Sequence, residues 1–292
     1  MRLRLSRRGD GLLERMLAPD NVNAAWRALR RDTAPWAPGI AAEVVRTDAP
    51  YFLLELVREI ERGRYRPLPV RQYAVRKADG GRRVLSCFYL RDKLAQRMAL
   101  QVLQPLGEAR FHHDSFGYRP HRGVAQALAR ARERVATGLA WLVDADIERF
   151  FDRVPHAPLR RRLRGLVPDE RVRALLEAWL AVGPHPGCLL GRRRGLLQGA
   201  ILSPFLCNVH LDAFDRALAA RNIPFVRYAD DFLLFAPDRE AAQAAAECAG
   251  VLLRRLGLRL HPRKTRVRHA REVRFLGEPL ARGRRARAAG RE

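Results

Sequence analysis

The stretch from Phe225 to Phe235 constrains the fold of this chain most. It reads FVRYADDFLLF, two apolar, β-forming segments on either side of two adjacent acids. This pattern predicts a β-hairpin with Asp230 and Asp231 at its turn. Two adjacent carboxylates repel each other unless a cation neutralises them, and hard oxygen ligands suit Mg²⁺. A solvated surface turn would explain the same residues, because Asp is common in turns, so the rest of the chain has to decide.

The composition points to a polyanionic partner. The 292 residues are 48% hydrophobic, enough for the packed core of one large domain or two ordinary ones. The 56 basic and 31 acidic residues give a net charge of +25, which favours nucleic acid. The four Cys are widely spaced and are expected to be reduced thiols. No secretory leader and no apolar run of about 18 residues is present, so we predict a cytoplasmic protein without membrane contact.

Residues 68–85 change from helical periodicity to alternation and predict a basic hairpin. The segment Ala78-Asp79-Gly80-Gly81 supplies the positive φ angles of a tight turn. On an exposed edge such cations deter aggregation, whereas on a working surface they bind phosphates. We favour the second interpretation because the acidic hairpin is present in the same chain.

A second apolar strand, predicted over residues 139–147, contains Asp144 and Asp146 near its end and is followed by Phe150, Phe151 and Asp152. An acid at a strand end beside an acid-bearing hairpin is a natural arrangement of metal ligands. Periodicity predicts helices from residue 21 and over 49–62, 91–106, 124–137, 155–182, 204–220 and 239–256, and strands over 258–260 and 266–275. Acid-bearing strands separated by helices indicate an α+β domain, with an antiparallel sheet covered by helices on one face.

Eight segments share an order and spacing with a known family: RKADGGRR (76–83), RDKLAQ (91–96), SFGYRP (115–120), DADIERFF (144–151), LQGAILSP (197–204), RYADDF (227–232), HPRKT (261–265) and FLG (275–277). Together they resemble the reverse transcriptase domain of bacterial retroelements, most closely the group II intron type, over residues 21–280. Two departures are Leu197, where the family usually has Pro, and Ala200, where it often has Gly; both imply tuning of the site.

The resemblance implies the α+β architecture of a right-hand polymerase with fingers and palm. Residues 1–110 would form an N-terminal extension and fingers, 111–155 and 198–280 the two parts of the palm, 156–197 a connecting helical insertion, and 281–292 a flexible basic tail. Only fifteen residues follow Gly277, so we expect no thumb and no maturase region.

The resemblance also implies two-metal nucleotidyl transfer, in which two Mg²⁺ ions about 4 Å apart activate the primer 3′-hydroxyl and stabilise the leaving pyrophosphate. Asp146 and Asp230 would bridge both ions, Asp231 would complete the set, and the Ile147 carbonyl would add a ligand. Mn²⁺ is a possible substitute. Asp144 and Asp152 are neighbouring acids that could each be a further ligand.

Further roles follow from the same match. Phe151 would be the steric gate that excludes a ribose 2′-hydroxyl, whereas Phe150 fits a core aromatic. Lys264 would protonate pyrophosphate, although a surface lysine explains it too. The remaining matched residues would contact the nucleotide (Ile147, Gln198, Gly199), the triphosphate (Arg71, Lys77, Arg83) and the primer as its grip (Phe275, Leu276, Gly277).

The predicted function is RNA-directed DNA polymerisation from an RNA template, a DNA or RNA primer and dNTPs. Because no maturase region is expected, the chain resembles the lineage linked to CRISPR adaptation, which implies an integrase complex as partner and an antiviral role. A group II intron-derived retroelement enzyme is the alternative pathway. A non-catalytic nucleic-acid-binding scaffold and an RNA-dependent RNA polymerase are competing functions; the clustered acids argue against the first, and Phe151 with the QGxxxSP pattern argues against the second.

Overall fold

The computed structural model describes residues 11–76, 80, 82–182 and 194–281, without the side chains of residues 82–84. In chain order, the helices are α1 (Leu12–Leu17), α2 (Pro19–Leu29), α3 (Ala42–Thr47), α4 (Ala49–Glu61), α5 (Leu90–Glu108), α6 (Val124–Ala136), α7 (Phe150–Arg153), α8 (His156–Leu166), α9 (Glu170–Ala181), α10 (Ser203–Ala219) and α11 (Arg239–Arg255). The strands are β1 (Arg71–Arg76), β2 (Arg82–Cys87), β3 (Trp141–Asp146), β4 (Phe225–Tyr228), β5 (Asp231–Ala236), β6 (Arg266–His269), β7 (Arg274–Phe275) and β8 (Glu278–Pro279).

These elements belong to two compact units. The first comprises Met1–Arg110 and Phe151–Val209, and the second comprises Phe111–Phe150 and His210–Glu292. The first unit contains the predicted basic hairpin, β1 paired antiparallel with β2. The second contains a four-stranded sheet in the order β4-β5-β3-β6, all antiparallel, and the small β7-β8 hairpin. The predicted α+β class with an antiparallel sheet is therefore confirmed.

A buried carboxylate links separate segments of the first unit. Asp92, in the first turn of α5, is fully buried and accepts hydrogen bonds from the Tyr65 hydroxyl at 2.6 Å and from the Leu68 amide at 3.0 Å. Trp179 of α9 donates its indole N–H to the Tyr65 oxygen at 2.9 Å. Burial is the main cause that raises the pKa of Asp92 from 3.8 to about 6. The folded first unit therefore takes up a proton more readily than the unfolded chain.

Asp92→Asn is expected to flatten the pH dependence of stability. Because the pKa of Asp92 is higher in the folded state, this group increases the wild-type free energy of unfolding as pH falls from about 6 to about 4. Above pH 6 this contribution is lost. A shift of this size corresponds to at most about 3 kcal/mol. Urea unfolding at pH 4.5 and 7 measures it, with the exposed change Asp20→Asn as control. Equal wild-type and Asp92→Asn slopes would contradict the assignment.

The four-stranded sheet is covered on both faces. Leu233 and Phe235 of β5 belong to a buried cluster with Ala127 and Leu128 of α6. On the opposite side of the same strand, the ring of Phe232 meets a ring of α10 edge-on, with centroids 5.2 Å apart. The sequence predicted helices on one face only. Both faces are buried because β5 is apolar at every position from Phe232 to Ala236, as in other fully buried strands.

Several predicted boundaries differ from the structure. The helix predicted over residues 155–182 is two helices, α8 and α9. Residues 258–260 form no strand; Leu260 makes only an isolated bridge with Ile147. The strand predicted over residues 266–275 is interrupted by a 3₁₀ turn, Ala270–Glu272. The first predicted helix begins earlier, at Pro19, a residue suited to the first helical turn, and the short α1 precedes it. No helix in the described ranges is both long and apolar enough to cross a membrane.

Candidate active site

The acidic hairpin has a two-residue loop. Tyr228 of β4 pairs with Asp231 of β5, so Ala229 and Asp230 form the loop between them. Ala229 has a φ of 60°, an unusual value for a residue other than Gly. The predicted hairpin is confirmed, although Asp231 is the first residue of β5 and not part of the turn. The short loop therefore fixes the direction of both acids relative to the sheet.

The register of the sheet places the acid at the end of β3 beside this hairpin. Asp146 lies directly opposite Asp231 in the antiparallel β3–β5 pair. Residues that face each other in this way share one face of the sheet, with Cβ atoms about 5 Å apart. Ile147, the next residue, bridges to Leu260, and its side chain is buried. The structure thus brings Asp146, Ile147, Asp230 and Asp231 together at one end of the sheet.

Lys264 reaches the same acids from the turn before β6. The His261 amide donates to the Asp146 carbonyl oxygen at 2.8 Å, which anchors the start of this turn to the end of β3. The Lys264 ammonium then donates to Asp146 Oδ2. This hydrogen bond is the main cause that raises the pKa of Lys264. Lys264 is therefore a protonated cation in contact with a predicted metal ligand.

Burial and mutual repulsion disfavour the ionised form of the carboxylates in this cluster. Desolvation is the largest cause that raises the pKa of Asp230, and the charge of Asp146 adds to it. Partial enclosure likewise raises the pKa of Asp231 to about 6, with the Asp230 carboxylate as the second cause. Burial also raises the pKa of Asp144, which the cation of Arg268 opposes. Each carboxylate would be stabilised by added positive charge.

The donor set fits divalent cations. The carboxylates of this cluster repel each other, and the Lys264 ammonium neutralises only part of their charge. Their oxygens are hard ligands, the kind that divalent cations such as Mg²⁺ prefer. Within the described ranges the three acids do not bring one oxygen each to within 4.8 Å of one another. Asp146, Asp230 and Asp231 would hold the ions.

A second group of potential ligands is less suited to a cation. His112, His113 and Asp114 bring one ligand atom each to within 4.8 Å of one another. However, Asp114 already accepts from Arg130 at 2.7 Å and from Arg134 at 2.9 Å. Two guanidinium groups therefore neutralise the only acid of this group, and a further cation would be repelled.

Except for Ile147, the residues predicted to contact the nucleotide belong to the first unit. The Gln198 carbonyl accepts from the Ser86 amide at 2.8 Å. Gly199 has a φ of 101°, and a Cβ there would lie 2.6 Å from the Ser86 carbonyl oxygen, so the close backbone approach that requires Gly is to Ser86. The Arg71 guanidinium lies over the Tyr89 ring at 5.3 Å from its centroid. Lys77 and the Arg83 side chain lie outside the described residues.

Two adjacent phenylalanines near the start of α7 differ in exposure. Phe150 is 2% exposed, which confirms it as a core aromatic. Phe151 is half-buried, and its carbonyl accepts from the Leu196 amide at 2.6 Å. Asp152 is exposed on the same short helix and belongs to the first unit, whereas Asp146 belongs to the second.

The predicted primer grip forms the β7-β8 hairpin. Phe275 is buried in the same apolar cluster as α6, and Leu276 is packed against that cluster. Leu276 and Gly277 have φ angles of 52° and 87°, the two positive values that a type I′ turn requires. Arg274 donates to the Gly277 carbonyl at 2.6 Å, which closes the turn. A role in primer contact stays a prediction.

Sequence reasoning gave no role to the residues that support the acidic loop. Arg227, which precedes Tyr228, is fully buried and forms an ion pair with the equally buried Asp215 of α10 at 2.6 Å. Its guanidinium also donates to Ser115 Oγ at 2.7 Å and to the Ala229 carbonyl at 2.9 Å. One signal could have revealed this: an arginine between apolar residues of a buried strand requires a buried partner.

Comparisons with known proteins identify the family of this chain. Residues 75–280 match the family model described as reverse transcriptase (RNA-dependent DNA polymerase). The chain is 31% identical to protein YkfC of Escherichia coli over 273 residues, which covers 79% of this chain and 72% of YkfC. It is 27% identical to the group II intron-encoded protein LtrA of Lactococcus lactis over 214 residues, which covers 73% of this chain and 36% of LtrA.

A solved structure shares the fold. The chain aligns with a partial Cas6-RT-Cas1–Cas2 complex at a TM-score of 0.50 and 24% identity, over 84% of this chain and 41% of that one. At this identity the match speaks only to the fold. The chain spans well under half of LtrA and of the solved chain, but most of YkfC. Because the family model covers most of its length, the chain belongs to the reverse transcriptase (RNA-dependent DNA polymerase) family, among the members related to group II intron-encoded proteins.

Proposed function

We propose that this chain copies RNA into cDNA and that Asp146, Asp230 and Asp231 hold the metal ions of the reaction. The observation that supports this most is the register of β3 and β5, which sets Asp146 opposite Asp231 with Asp230 in the adjoining loop. The net charge of +25 suits a template and a primer that are polyanions.

Two Mg²⁺ ions, or Mn²⁺ in their place, would supply charge stabilisation and activation of the primer hydroxyl when bound. The chain itself supplies the rest. Asp146, Asp230 and Asp231 provide the oxygen ligands, and the Ile147 carbonyl is a candidate for a further one. Lys264 is protonated beside Asp146 and so can donate a proton to the leaving pyrophosphate. Asp144, two residues before Asp146 on the same face of the sheet, would add to the negative charge of the site.

The first unit would bind and select the nucleotide, and the second would correspond to the palm. Arg71, Lys77 and Arg83 on the basic hairpin would contact the triphosphate, because charge that develops there is stabilised by fixed cations. Gln198 and Gly199 would contact the incoming nucleotide, and Phe151 would exclude a ribose. Phe275, Leu276 and Gly277 would contact the primer.

Primer extension tests the function directly. Purified protein is incubated with a primed RNA template and Mg²⁺, and with either dNTPs or NTPs. We expect extension with dNTPs. Extension only with NTPs would identify an RNA-dependent RNA polymerase, and binding without extension in either pool, with Mg²⁺ or Mn²⁺, would favour a non-catalytic scaffold.

Phe151→Val is expected to relax the choice between dNTPs and NTPs. A smaller side chain would remove the clash with a 2′-hydroxyl, so kcat/KM for NTPs should rise relative to dNTPs by about 10²-fold, the scale of discrimination by shape alone. Single-nucleotide insertion with each pool measures this ratio. Phe150→Leu, a change in the neighbouring core aromatic, should leave the ratio as it is; an unchanged ratio in Phe151→Val would refute the gate.

The biological pathway is a separate proposal. The intron-encoded relatives support a retroelement origin, whereas the Cas6-RT-Cas1–Cas2 complex shows that this fold also occurs in a CRISPR assembly. We favour a role in the acquisition of CRISPR spacers from RNA, with an integrase complex as partner, because the solved complex combines this fold with Cas1 and Cas2. Gene context tests it: neighbours without a CRISPR array or an integrase gene would refute the link. The cytoplasmic location stays a prediction from the sequence.

A further inference from the structure

The loop that carries Asp230 adopts a conformation that needs support. Its first residue, Ala229, is buried and has a φ of 60°, which L-residues other than Asn and Asp seldom adopt. A two-residue hairpin loop normally has Gly, Asn or Asp at such a position. Strained backbone of this kind persists only where the surrounding structure determines it from several sides.

Four residues around this loop supply that support, and together we call them the turn clamp: Arg227, Asp215, Ser115 and Gly117. Arg227 is its centre. It directs Nη1 to the Ala229 carbonyl at 2.9 Å, and Nε and Nη2 to the two carboxylate oxygens of Asp215 at 2.8 and 2.6 Å. A guanidinium held by a bidentate carboxylate has a fixed plane, so its bond to the Ala229 carbonyl has a fixed direction.

The segment before α6 closes the clamp from the other side. The Arg227 amide donates to the Asp114 carbonyl at 2.9 Å, and the Phe116 amide donates to the Arg227 carbonyl at 2.8 Å. This short parallel pairing with β4 positions Ser115 Oγ to accept from Arg227 Nη2 at 2.7 Å. Arg227 is thus held both by backbone hydrogen bonds to this segment and by the Ser115 side chain.

The Gly117 backbone lies directly against the backbone of the loop. A Cβ at this position would lie 2.3 Å from the Ala229 amide nitrogen and 2.9 Å from the Tyr228 carbonyl carbon. Both of these are backbone atoms, which cannot move aside as the end of a side chain can. Gly117 is therefore required for the contact itself, since its φ is not in the left-handed region.

We propose that the turn clamp positions the Ala229-Asp230 loop for binding of divalent metal, so that its residues are positioning residues of the active site. The inference rests on the proposed metal site at Asp146, Asp230 and Asp231. It adds that metal affinity depends on residues that touch neither metal nor substrate. Residues that orient metal ligands in this way typically change metal affinity by about 10–100-fold when altered.

The test compares three full-length variants. Gly117→Ala places a methyl group against the Ala229 amide, and Ser115→Ala removes one acceptor of Arg227 with little change in volume. Gly165→Ala in α8 is the matched control, because a Cβ there would be 3.8 Å from its nearest neighbour. Circular dichroism and thermal unfolding without metal establish that each variant is folded.

The deciding readout is binding of Mn²⁺, followed by EPR of the free ion in the absence of nucleotide and nucleic acid. Gly117→Ala is expected to weaken binding by about 10–100-fold, and Ser115→Ala by less in the same direction, while Gly165→Ala binds as wild type. In extension assays the Mg²⁺ concentration for half-maximal rate should rise, whereas KM for dNTP at saturating Mg²⁺ should change little.

Wild-type Mn²⁺ affinity in folded Gly117→Ala or folded Ser115→Ala would overturn the proposal, and if Gly117→Ala does not fold, Ser115→Ala decides alone. Asp230→Asn in the same Mn²⁺ titration distinguishes failure of the turn clamp from failure of the proposed metal site. If it too binds Mn²⁺ as wild type, the metal site itself is misassigned. If it loses binding while both clamp variants keep it, only the clamp is refuted.

Discussion

Asp230→Asn is expected to abolish extension while the protein keeps its fold and its affinity for nucleic acid. An amide retains the size of the carboxylate but supplies no negative charge to a divalent cation. The loss of several kcal/mol of charge stabilisation corresponds to a fall in kcat of at least about 10³-fold. Single-turnover extension on a primed RNA template measures it. Asp20→Asn, an exposed change in α2, removes the same charge elsewhere and should leave the rate unchanged.

The same substitution, although it abolishes extension, is expected to increase the stability of the fold. Burial and the nearby Asp146 raise the pKa of Asp230, which shows that its ionised form is disfavoured without a cation. Asp230→Asn should therefore raise the midpoint of thermal unfolding when Mg²⁺ is absent, and tighten nucleic acid binding slightly because a repulsive charge is lost. Near-wild-type extension by this variant would refute the metal-ligand assignment.

Lys264→Met is expected to lower kcat by about 10²–10⁴-fold, the usual contribution of a positioned proton donor. Lys264→Arg discriminates between proton donation and charge. A guanidinium keeps the positive charge beside Asp146, but it does not release a proton near neutral pH. If Lys264 acts as the general acid, Lys264→Arg should be nearly as slow as Lys264→Met. Rapid-quench measurement of the first insertion gives the rate of chemistry.

Recovery of the rate in Lys264→Arg would assign Lys264 a purely electrostatic role. Lys93 provides a control, because it is a second lysine paired with a carboxylate, Asp32, at 2.7 Å. Lys93→Met removes an ion pair of the first unit and should leave kcat unchanged. A comparable loss in Lys93→Met would indicate that both effects arise from stability.

The sequence predicted the parts of the site that depend on local pattern. The hairpin around Asp230, the strand that ends at Asp146 and the helices that flank them follow from periodicity and turn chemistry. The pairing of Asp146 with Asp231 could not be derived in this way, because register is set by long-range packing. The family resemblance implied that these acids share one site, but not how the strands pair.

Other features of the structure depend on tertiary contacts that no local pattern encodes. The buried ion pair of Arg227 and Asp215 joins a strand to a helix, and the Asp92 carboxylate joins α5 to Tyr65 and the start of β1. Helices on both faces of the sheet were missed, although the uninterrupted apolar residues of β5 indicate them. Contact of Gly199 with the nucleotide stays a prediction, and its close approach to the Ser86 backbone depends on a tertiary contact that no local pattern encodes.

Because of the β3–β5 pairing, the proposed metal site would also report on folding. Asp146 and Asp231 are far apart in the chain, so they meet only when β3 and β5 have paired over their whole length. A slip of one residue would turn the acids to opposite faces, and a slip of two would set Asp146 against an apolar side chain. High affinity for Mn²⁺ or Mg²⁺ should therefore appear late in refolding, after the sheet has reached its native alignment. Metal titration would thus report strand alignment in this chain, and misaligned but compact chains would be recognised by their failure to bind the ion.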